Sequence, residues 1–77
     1  MKSTIDFSKD KSYVEFQCNV ISDWGSTFMR AETEIELVAA LKAVLPKNQD
    51  IEIIKGEVSV SMLAARLRQA GYNVTIK

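Results

Sequence analysis

The sequence predicts a two-layer α/β (α+β) domain. A β-meander is followed by an αβαβ segment, in the order β-β-β-α-β-α-β, with two helices on one face of a mixed sheet. Three observations predict it. Val14, Phe16, Cys18 and Val20 alternate with Glu15, Gln17 and Asn19, the period of a half-buried strand. Thr33 and Glu36 have capping-box spacing ahead of an apolar stripe that Pro46 stops. A second apolar stripe ends at Gly71 and is followed at once by Val74 and Ile76, as in a crossover that returns to its sheet.

Each element has its own warrant. Residues 4–7 alternate, with Ile5 and Phe7 on one face, and residues 8–11 form a polar turn. The run from Val14 to Val20 is the second strand. Residues 22–26, Ser-Asp-Trp-Gly-Ser, turn the chain, and residues 27–30 return as a third strand with Phe28 suited to an inward position. In the first helix Ile35, Val38, Leu41 and Leu45 share a stripe. Glu32, Glu34 and Glu36 lie where the helix dipole favours anions, and Lys42 and Lys47 lie toward the other end. Residues 51–54 form a short strand that Gly56 breaks. Ser59 or Ser61 caps a second helix with the stripe Val60, Leu63, Ala64 and Leu67. Residues 51–76 therefore read as a βαβ unit, expected to cross over right-handed.

Composition bounds the function. The 77 residues, 47% apolar and 26% charged with one proline, suit a single compact domain over residues 1–77 rather than a disordered tail. Ten Lys+Arg balance ten Asp+Glu, which argues against a strongly basic nucleic-acid protein. The absence of histidine removes the commonest general base and the commonest zinc ligand. Cys18 is the only cysteine, so no disulfide forms within the chain. A lone thiol suits a reducing compartment. The first residues lack the apolar core of a signal peptide, and the longest apolar run, residues 37–41, is far short of a membrane span. The expectation is a cytoplasmic protein that does not enter a membrane.

Catalytic constellations are missing from the sequence. Cys18 falls in the apolar set of a strand with no histidine to activate it. Serines 22, 26, 59 and 61 also lack such a base, and no Gly-x-Ser-x-Gly turn is present. Glu32, Glu34 and Glu36 point different ways around a helix start. Asp10, Glu15, Asp50 and Glu52 read as turn or solvent-face charges. Any catalytic account would rest on carboxylates, lysines, Tyr13 or Tyr72. Gly25, Gly56 and Gly71 stand alone, outside any phosphate-binding motif, although Lys55-Gly56 precedes a helix start that favours anions. The sequence reading is of a non-enzyme with no cofactor and no metal.

A binding surface is easier to find. Trp24, Phe28, Met29 and Arg30 fall within seven residues, and Trp, Arg and Met are residue types that anchor protein interfaces. Burial of Trp24 as core is the competing reading. The expected function is a small protein-binding module that occludes or bridges a larger protein. Inhibitors and regulators from mobile elements that act against host defence often have this format. The alternative is a nucleic-acid-binding or transcription-regulatory module, with Lys9, Lys11, Arg66 and Arg68 on phosphates. Arg66 and Arg68 stand about 200° apart on a helix, however, and cannot form one tight cluster. Residues 1–38 carry four cations and seven anions, a balance of −3, and residues 39–77 carry six and three, a balance of +3. That asymmetry can orient a partner. A five-stranded sheet also has two edges, which invite a partner strand or a homo-oligomer. The edge after residue 76 must be guarded by pairing or by Lys77.

Overall fold

The computed structural model describes residues 2–11 and 14–77. The elements are β1 (Lys2–Asp6), β2 (Phe16–Ser22), β3 (Gly25–Ala31), α1 (Glu34–Val44), β4 (Asp50–Ile54), α2 (Ser61–Gln69) and β5 (Asn73–Ile76). The strands form one sheet in the order β3-β2-β1-β4-β5. The meander pairs antiparallel, with β2 in its middle, and β4 and β5 add in parallel beyond β1. The predicted element order and two-layer class are thus the observed ones.

Parity decides the two faces. Ser3, Ile5, Cys18, Val20, Ile51, Ile53 and Val74 point to the helices and are buried. Leu37, Leu41 and Leu45 from α1 join Val60, Leu63, Ala64 and Leu67 from α2 over them in one apolar cluster. Both crossovers, β3 to β4 through α1 and β4 to β5 through α2, step the same way along the sheet. Two crossovers of one hand then place both helices on the same face. Among the described residues no helix covers the opposite face.

Several expected details differ. Val14 is 84% exposed, and the second strand starts at Phe16. The buried carboxylate of Asp10 explains that start. It is only 1% exposed, and its Oδ2 accepts the Gln17 N–H at 3.1 Å. Asp10 is therefore a loop anchor and not a solvent-face charge. In α1 the inward stripe is Leu37, Leu41 and Leu45, with Val38 half-buried, while Ile35 is 67% exposed. With Leu37, Leu41 and Leu45 turned inward, Ile35 falls about 200° from Leu37 and cannot share that side. Thr33 does cap it, its Oγ1 accepting the Glu36 N–H at 3.2 Å. Neither Ser59 nor Ser61 caps α2. Its N-cap is Val60, buried in the core, with no side-chain cap bond.

Two glycines fix the layout. A Cβ on Gly56 would lie 2.2 Å from the Phe7 carbonyl oxygen. Only glycine lets the loop after β4 press against the end of β1 there. Gly25 closes the β2–β3 hairpin at φ +122, a conformation that L side chains rarely adopt.

Candidate functional site

The β2–β3 hairpin carries the most distinctive surface. Ser22 pairs with Gly25 across the two-residue turn Asp23-Trp24, and every later pair keeps that register to Phe16 with Ala31. Alternation then sends Thr27, Met29 and Ala31 toward α1, and Ser26, Phe28 and Arg30 to the open face. Phe28 is 55% exposed and Trp24 49%. Ile21, 45% exposed, pairs with Ser26 and so lies diagonal to Phe28 on the same face. Arg30 stands beside it, with its Nε 4.0 Å from the Glu15 carboxylate.

Three of the four residues expected to bind protein therefore reach solvent on one hairpin. Met29 does not belong with them. It points the other way and packs, half-buried, against the core. Phe28 was expected inward, and the one-residue difference in parity exchanges the two. Ile21 was missed by sequence reasoning. Its signal was available: in the period that buries Cys18 and Val20, residue 21 falls on the outer face.

The rest of the open face is polar apart from the half-buried Ile54. Asp6 Oδ1 accepts the Ser8 N–H at 2.8 Å, and bonds from Ser8 hold its carboxyl below the ordinary aspartate value. Glu52 lies between Lys2 Nζ at 2.7 Å and Lys77 Nζ at 3.4 Å. The Lys2 hydrogen bond is the main reason that its carboxyl is held below the usual range. Glu52 is a charge of the open face, as expected, and both it and Glu15 have cationic partners. Asp50 accepts from Asn73 Nδ2 at 3.0 Å.

The four cations proposed for nucleic acid do not converge. Lys9 and Lys11 are exposed in the loop that follows β1. Arg66 and Arg68 lie in the last turn of α2, which runs back from that end of the sheet. Arg66 Nε donates to Glu34 Oε1 at 2.6 Å. Arg68 donates through Nε and Nη2 to the Val74 carbonyl, at 3.3 and 3.0 Å. Both arginines have structural work within the fold.

Two of the grooves among the described residues lie near these elements. One, of about 320 Å³, is lined by Val14, Phe16 and Val58 with Glu15, Glu32 and Glu57. Among the described residues no three His, Cys, Asp or Glu side chains gather as a metal would need. The other, of about 270 Å³, runs between the helices over Ile35, Val38, Lys42 and Arg66. Cys18 is buried, and loss of hydration, with Asp10 and Asp6 nearby, pushes its thiol up to about 12. A thiol so protonated is a poor nucleophile. Tyr72 is buried, with its hydroxyl donating to the Leu45 carbonyl at 3.1 Å, and burial raises its pKa. Tyr13 lies outside the described residues.

The fold turns the charge asymmetry of the sequence into a spatial one. Strands β3, β2 and β1 are contiguous, so the half with balance −3 occupies one side of the sheet, and β4 and β5 the other. Among the described residues no helix is long and apolar enough to cross a membrane. No protein-family model matches the chain, and no curated protein is found similar to it.

Proposed function

We propose that the chain is a non-enzymatic protein-binding module whose contact surface is the open face of the β2–β3 hairpin. The observation that carries this reading is the exposure of Ile21 and Phe28 on the open face of the hairpin, with Trp24 exposed in its turn. Aromatic residues leave water when a partner seats on them, and Arg30 beside them adds a planar donor. The hairpin lies in the half with balance −3, so a partner with a basic rim is steered toward it. The action is steric: a rigid strand pair blocks or bridges a site on a larger protein, as an inhibitor or regulator of host machinery does. A cytoplasmic setting suits the unpaired thiol.

The nucleic-acid alternative draws less support. Its four cations lie at two ends of the molecule, and two of them are engaged within it.

Affinity capture from a bacterial lysate, with and without nuclease, tests the proposal. The expected result is a stoichiometric protein that survives nuclease and moderate salt, and is lost with Trp24→Ala or Phe28→Ala while the thermal melt is unchanged. Capture that collapses with nuclease, or that both variants retain, overturns it.

A further inference from the structure

We infer that the free edge of β3 pairs with β3 of a second copy across a two-fold axis, giving one continuous ten-stranded sheet. This inference does not rest on the proposed function. It starts from the backbone. Ser22 and Gly25 flank a two-residue turn, so they form a hydrogen-bonded pair, and such pairs recur at every second position. Thr27, Met29 and Ala31 therefore spend their backbone groups on β2. The N–H and C=O groups of Ser26, Phe28 and Arg30 face outward along an edge seven residues long. The edge holds no proline, lysine or bulge to discourage pairing.

The helix above that edge identifies the occupant. At about 100° per residue, the side of α1 that carries Ile35, Val38 and Lys42 faces α2, as the groove they share with Arg66 shows. The opposite flank, above the outer edge of β3, carries Glu36, Ala40, Ala43 and Val44. Ala43 and Val44 are exposed and Ala40 is half-buried. A lone foreign strand would pair with β3 and leave this small, mostly apolar flank in water. A second copy brings its own α1 to cover it, so both layers close together.

Register and charge agree with a two-fold centred on Phe28. Phe28 then faces Phe28 of the second copy, an aromatic cross-strand pair. Ser26 falls opposite Arg30 of the second copy, and Thr27 opposite Met29 on the helix side. No two like charges stand directly opposite. Arg30 lies diagonal to Phe28 of the second copy, within reach of its ring face. The other edge is closed to such pairing. β5 has four residues, and Arg68 occupies its outward Val74 carbonyl. Head-to-tail growth is blocked, and a closed dimer results.

The size of the contact sets its strength. A seven-residue edge is about 23 Å long, and two layers stand about 20 Å high, so the footprint is roughly 450 Å² per copy. That is at the small end of specific interfaces, and the expected dissociation constant is in the micromolar range.

Sedimentation equilibrium from about 0.5 µM to about 1 mM tests this, because that range brackets constants from a few to several hundred micromolar. The wild-type chain should pass from monomer to dimer and stop there. Ser26→Glu places a carboxylate opposite each Arg30 and should tighten the dimer roughly three- to tenfold, and Ser26→Arg should loosen it by a similar factor. Ala43→Glu, at an exposed position two turns along the same flank from Glu36, should also loosen it, with an unchanged circular dichroism spectrum. A wild-type monomer throughout, growth beyond the dimer, or a dimer indifferent to all three substitutions overturns the inference.

Discussion

The two edges of the sheet are built in opposite ways. At β5, Arg68 reaches from α2 to bond the Val74 carbonyl. Across the same half, Gly56 lets the loop before α2 press against the end of β1, and the buried stripe of α2 matches its sequence pattern residue for residue. At β3 the backbone faces outward unguarded, and Ile21, Trp24 and Phe28 stay in solvent. One half of the molecule settles its own hydrogen bonds and apolar surface. The other leaves both unsettled, which is the usual price of a binding surface.

Breaking the settled half should give the largest effect. Gly56→Ala forces a Cβ onto the Phe7 carbonyl oxygen, which is backbone and cannot swing aside. It should cost about 3 kcal/mol in urea unfolding. A cost below about 1 kcal/mol would show that the junction of β1 and β4 is looser than described.

The hairpin should respond less. Gly25→Ala meets open space but keeps a φ of +122. Strain alone should then cost about 1 kcal/mol, read from the same unfolding curves. If it instead splays the hairpin, the intrinsic fluorescence of Trp24 will shift with no change in midpoint.

Removing the guard on β5 sharpens the contrast. Arg68→Ala should lower stability by only about 1 kcal/mol, because its bond is partly exposed. It should however raise concentration-dependent association seen by light scattering, since the Val74 carbonyl is then free. No change in association would mean that four residues are too few to recruit a strand.

The smallest effect concerns acid. Glu52 has a carboxyl held below its usual value by Lys2 and then Lys77. Its folded form binds protons less readily than its unfolded form, so its contribution is present above the ordinary glutamate value and is lost as pH falls below about 4. Glu52→Gln should lose that small contribution at neutral pH, converge on the wild type in acid, and so flatten that part of a plot of unfolding midpoint against pH. A plot with the wild-type slope would show that the two lysines do not hold the carboxylate in solution.

Much of this architecture was legible in the chain. Period two in residues 16–20, the cap at Thr33, the stop at Pro46 and the turn at Gly71 are local signals, set by backbone sterics and hydrogen bonding within a few residues. They gave element order and type. The stripe of α2 was read correctly because Val60, Leu63, Ala64 and Leu67 leave no competing face. The stripe of α1 was not, because Ile35 and Leu37 both offer apolar faces and only packing over β3 chooses between them.

The candidate site divides along the same line. Composition and spacing marked Trp24, Phe28 and Arg30, and the sequence by itself determined that this aromatic stretch joins two strands. Whether Phe28 or Met29 faces the core depends on a register fixed by the two-residue turn and by pairing with β2, a contact between separate segments. The burial of Asp10, the guarding of β5 by Arg68 and the fit of Gly56 against Phe7 were likewise decided only by the tertiary structure. Each joins residues through space, and no local pattern of period or propensity records which distant backbone group will arrive beside them.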